Sequence, residues 1–152
     1  ARWNNTSPTN SVWTMGNTSA VNASGVNYIA YCFAEKQGYS KFGSYTGNGN
    51  ANGPFIFTGF KPAWIIVKKT SGSGSWWMRD NKIAPFNVAS QVLIANSTGA
   101  ETSGVGQMDF LSNGFKLRDT TDASNSSGGS YIYMAFAEEP LVASNFNVAT
   151  AR

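Results

Sequence analysis

Histidine is absent from this chain. That removes the usual general base near neutral pH, the Ser-His-Asp arrangement of nucleophilic hydrolases and every imidazole-based metal site. Cysteine occurs once, at Cys32, which excludes an intrachain disulfide and a cysteine-rich zinc site. Charge is sparse: acidic and basic residues make up 12% of the 152 positions, about half of the roughly 25% usual in soluble domains. The net charge of +3 is slight. The basic residues Lys61, Lys68, Lys69, Arg79 and Lys82 read as a solvated face, so no nucleic-acid partner is expected. No run is long and apolar enough for a membrane-spanning helix, and no membrane insertion is expected. Without a signal peptide or initiator Met, Ala1 reads as a processed or truncated start.

What is present is aromatic, hydroxylated and rich in turns. Short strand-like runs dominate: Pro54 to Phe60, Pro62 to Lys69, Ser75 to Asp80, Val88 to Ile94, Met108 to Leu111, Phe115 to Arg118 and Tyr131 to Glu138. Pro62 to Lys69 carries apolar residues on both faces, as in a central strand, with its Pro at the start where a missing donor is tolerated. Gly-, Asn- and Ser-rich turns separate the runs. Ser112-Asn113-Gly114 is a hairpin signal of the kind a type I′ turn requires. No stretch holds a helical period. The fold expected is all-β: an antiparallel β-sandwich or jelly roll.

The chain also repeats itself. Residues 22–35 read NASGVNYIAYCFAE and residues 125–138 read NSSGGSYIYMAFAE. In the second copy Tyr131, Tyr133, Ala135 and Ala137 alternate with Ile132, Met134, Phe136 and Glu138, and the first copy keeps the scheme. Both copies therefore read as core strands, with Cys32 as a small buried hydrophobe. Self-similarity of this kind marks a duplicated strand-loop-strand unit. Two arrangements are open. Residues 1–36 either supply the closing strands of a preceding repeat, or a linking or exchanged segment, with 37–152 as the main β-sandwich repeat; or both copies lie in one pseudo-symmetric sandwich.

The wording of several motifs is distinctive: Tyr28 to Glu35, Gly38-Tyr39-Ser40-Lys41-Phe42-Gly43, Gly59-Phe60-Lys61-Pro62-Ala63-Trp64, Asp109 to Arg118 and Tyr131 to Pro140. On these the chain resembles an uncharacterised β-rich domain family that recurs, often in tandem, in tail- and fibre-type structural proteins of aquatic tailed phages. The resemblance implies a virion or extracellular setting and brings no catalytic or ligand residues with it.

No constellation carries an enzymatic reading, and no catalytic residue, metal or cofactor is expected. Glu35 and Glu138 occupy equivalent places in the two copies and read as structural carboxylates. Asp119 and Asp122 lack the regular alternation of a calcium loop and read as turn residues. The expected function is a non-enzymatic structural or assembly domain of an extracellular or virion fibre, a homo-oligomer or filament of neighbouring copies. Trp3, Trp13 and Trp77 are its candidate interface residues. The alternative is a carbohydrate- or receptor-binding module that stacks a cell-surface glycan on Trp76 or Trp77, which point to opposite faces if they share a strand. Asn4, Asn5, Asn17, Asn22, Asn96 and Asn125 begin Asn-x-Ser/Thr triplets and are possible glycosylation sites.

Overall fold

The computed structural model describes residue 2 and residues 4–139. The chain divides into two compact units, Ala1–Phe33 and Ala34–Arg152.

The larger unit is an all-β sandwich. Its strands are β1 (Ser40–Thr46), β2 (Phe55–Phe57), β3 (Pro62–Lys69), β4 (Trp76–Asp80), β5 (Leu93–Ile94), β6 (Met108–Leu111), β7 (Gly114–Leu117) and β8 (Ser130–Ala137). They form a five-stranded sheet in the order β1-β8-β3-β4-β5 and a three-stranded sheet in the order β2-β7-β6, with every neighbouring pair antiparallel. The first and last strands of the unit are hydrogen-bonded neighbours, so β8 closes the large sheet from within, between β1 and β3.

Alternation places the core. From the large sheet Ile65, Val67, Tyr131, Tyr133 and Ala135 point inward, and from the small sheet Ile56, Met108, Phe110, Phe115 and Leu117 meet them. Tyr45 stacks on Tyr131 with ring centroids 5.0 Å apart, and Phe115 meets Tyr133 edge-on at 5.3 Å. The edge-on contact spans the two sheets and helps to fix their spacing. On the opposite face of β8, Phe136 packs among Tyr39, Phe42 and Trp64.

Three expectations are corrected. The Ser112–Asn113 hairpin forms, but neither turn residue has a positive φ, so the turn is not type I′. The run Val88 to Ile94 yields only the two-residue β5, because Ala89 and Val92 bridge to different partners, Met108 and Thr102. The first copy of the repeated segment is not a core strand: Tyr28 to Phe33 belong to neither sheet and are exposed, Cys32 included. Only the second copy supplies a strand, β8 of the five-stranded sheet.

Candidate functional site

The repeated segment is a three-dimensional motif, and both copies build it alike. In the sandwich, Thr121 stands at the N-cap of a single helical turn, α2 (Asp122–Asn125). In the N-terminal unit, Thr18 stands at the N-cap of α1 (Ser19–Asn22). The amides of Ser124 and Asn125 donate to Thr121 O at 3.0 and 2.7 Å, and those of Val21 and Asn22 to Thr18 O at 3.1 and 2.9 Å. Each turn is followed by a glycine in the left-handed region, Gly128 at φ 70° and Gly25 at φ 73°, which a residue with a Cβ adopts only with strain. A tyrosine then folds back to close the motif. Tyr131 Oη accepts from Ser126 N (2.8 Å) and donates to Asp122 O (2.7 Å). Tyr28 Oη accepts from Ala23 N (3.1 Å) and donates to Ser19 O (2.5 Å). Sequence reading found the NxSG echo but missed the N-cap threonines and the tyrosine latch. Their signals were Thr18 and Thr121, each four residues before the Asn that opens the echo.

Beyond the tyrosine the copies diverge. Tyr131 is fully buried and leads into β8, whereas Ile29 and Tyr31 are each 80% exposed and Phe33 58%. Tyr28, Ile29 and Tyr31 join Trp13, Met15 and Val21 around an apolar groove of about 450 Å³ within the N-terminal unit. Of the expected interface residues, Trp13 lies in this groove, Trp3 falls outside the described residues, and Trp77 is elsewhere, on β4. Trp13 and Trp77 thus belong to different units of the chain.

Trp76 and Trp77 do split between faces. Trp76 is exposed beside Lys68, while Trp77 is half-buried opposite Val67 with the Arg79 guanidinium 5.5 Å from its ring centre. Trp77 therefore packs against its own domain. Arg79 is buried, its Nε donating to Gly106 O at 2.6 Å. Burial pulls its pKa down to about 10, opposed by the nearby Tyr45 and Asp119.

A second, polar cleft of about 240 Å³ opens between Lys61, Asn81, Lys82, Asn87 and Glu138. Glu138 accepts from Lys61 at 2.5 Å and from Lys82 at 3.1 Å, and these bonds hold its carboxyl below the usual range. A carboxylate kept ionised between two ammonium groups neither donates nor takes up a proton near neutral pH. The Asp119 and Asp122 side chains are likewise spent on protein donors. Asp119 accepts from Gln107 N (3.0 Å) and Thr121 Oγ1, and Asp122 pairs with Lys69 at 2.6 Å.

The six candidate glycosylation sites scatter. Asn4, Asn5, Asn17, Asn22 and Asn96 are exposed, although the Asn96 side chain already caps the start of β4 through Trp76 N at 2.9 Å. Asn125 differs from these five in burial. It is fully buried, and its amide ties Asn48 N, Asn50 O and Asp119 O together, leaving nothing to modify in the folded chain.

The match to known families covers residues 1–140, both copies of the motif included. The chain belongs to the DUF7483 family, a domain of unknown function. That description assigns the family no activity, partner or location. No curated protein and no solved structure matches the chain.

Proposed function

We propose that this DUF7483 chain is a non-enzymatic structural domain of an extracellular or virion fibre, either a tail fibre or a helical filament, that assembles with neighbouring copies through strand and aromatic contacts. One observation carries this reading: a strand sequence that is core in the sandwich stands exposed in the N-terminal unit, with Ile29 and Tyr31 uncovered. Burying such apolar surface yields about 25 cal/mol per Å², and unpaired strand edges invite pairing with another chain. The fibre setting rests on the motif resemblance and on a sequence poor in charge. A contact between unlike surfaces that does not close into a ring extends into a filament. Light scattering with negative-stain microscopy of the purified chain tests it: mass that grows with concentration, or regular filaments, is expected, and a monomer at all concentrations would refute it.

A second reading, carbohydrate or receptor binding, is favoured by the exposed Trp76 ring. An aromatic face of this kind stacks on sugar rings. Retention on immobilised glycans, lost in Trp76→Ala, separates it from assembly.

A further inference from the structure

We propose that Tyr28–Glu35 is a second β8 strand, built to occupy the slot between β1 and β3 of another copy of this fold. The inference rests on the assembly reading and names its element and its partner. The partner is set by the equivalence of the motifs. The helical turn, the left-handed glycine and the tyrosine latch precede the strand, and in the sandwich that strand lies between β1 and β3. The same lead-in in the N-terminal unit presents a segment of the same residue pattern that neither sheet includes, and its last two residues, Ala34 and Glu35, are tied to Ser40 and Lys41 of the chain's own β1. In the β8 register, Cys32 takes the place of Ala135, which faces Lys41 on β1 and Ile65 on β3. Tyr28 takes the place of Tyr131, Ile29 that of Ile132 and Phe33 that of Phe136.

One position differs in size. Ala30 stands where Tyr133 fills the core, so the chain's own β8 packs its slot better than Tyr28–Glu35 does. Exchange is therefore expected when chains fold together and both strands compete, and Ala30→Tyr should increase it.

The test uses the full chain, whose single Cys32 serves as the reporter. Lys41→Cys places a second thiol at the β1 position facing Cys32 in the proposed register; Ser44→Cys places it three residues along, roughly 10 Å away. Each variant is unfolded, refolded at high concentration under mild oxidation, and analysed by non-reducing gel and peptide mass spectrometry. Interchain bonds from Cys32 to the Lys41→Cys thiol are expected in several-fold excess over those to the Ser44→Cys thiol, rising further with Ala30→Tyr. Equal yields, no interchain bond, or bonds confined within one chain would overturn the proposal. A second arm disables the resident strand with Ala135→Pro, which removes a ladder donor in mid-sheet. In the Lys41→Cys background this chain is expected to regain β structure as cross-linked oligomers; if it stays unfolded at every concentration, the strand does not fit the slot. Native filaments of the Lys41→Cys chain that lack this cross-link would overturn the strand assignment and leave assembly standing. A native monomer that forms the cross-link on refolding would do the reverse.

Discussion

Removing one oxygen from each copy of the tyrosine latch should have unequal effects, because the two copies share geometry and differ in burial. Tyr131→Phe strips a hydroxyl that bonds Ser126 N, Ser126 Oγ and Asp122 O at 2.7 to 2.8 Å from a fully buried ring. The Ser126 amide and Asp122 carbonyl lose their partner, and an unsatisfied group of this kind costs about 1–3 kcal/mol. At an m-value of about 2 kcal/mol/M, a loss near 2 kcal/mol lowers the urea midpoint by about 1 M. Tyr28→Phe removes the matching bonds to Ala23 N and Ser19 O, but the ring is 42% exposed and water replaces what is lost. Its cost in the dilute chain should stay below about 0.5 kcal/mol. Once Tyr28–Glu35 is covered by a neighbour, the same substitution should cost as much as Tyr131→Phe, weakening association about tenfold for each 1.4 kcal/mol. Urea titration followed by circular dichroism, with light scattering across concentration, reads both quantities. Equal losses from the two substitutions in the dilute chain, or no effect of Tyr28→Phe on association, would refute the reasoning.

Three further outcomes are expected. Gly106→Ala should destabilise by about 3 kcal/mol or more, or force a rearrangement, because φ is +61° and a Cβ would sit 2.1 Å from the Arg79 guanidinium; thermal unfolding reads it directly. Glu138 has a lowered pKa in the fold, so its contribution is present above its unfolded value and lost as pH falls through the folded one. With both lysines partly solvated, that contribution is about 1 kcal/mol at most, so Glu138→Gln should lower stability at pH 7 by up to that amount, change little in acid, and thereby flatten the acid limb of stability against pH. Trp76→Ala should leave folding within about 1 kcal/mol of the parent, since the ring is exposed, and should leave association unchanged if assembly runs through Tyr28–Glu35.

The sandwich was legible wherever a strand's sequence states its own surroundings. Pro62 to Lys69 is apolar on both faces and became β3 between two neighbours, and the alternation of Tyr131 to Glu138 sorted core from outer face as observed. β1 was not read as a strand because Gly43 interrupts its pattern, and the reason lies across the sheet: a Cβ there would meet the Tyr133 ring at 2.9 Å. The burial of Arg79 was equally hidden. Its only sign was the two-residue spacing from Trp77, which places both side chains on one face of β4. The exposure of Tyr28 to Phe33 was illegible for a different reason. Their pattern encodes the kind of slot the strand fits, and it is the same pattern whether that slot belongs to this domain or to another.

Hydrogen exchange across Tyr28–Glu35, followed as protein concentration is raised, tests the assembly strand most directly. Amides outside a ladder exchange rapidly, while those of a central strand are protected up to the global stability. Assembly through this strand predicts fast exchange at Ile29 to Cys32 in dilute chain and protection of these amides in oligomers formed when chains refold together at high concentration, with a matching loss at Ile132 to Ala135 in the copies whose slot is taken. Exchange that stays fast in oligomers of proven mass would contradict it.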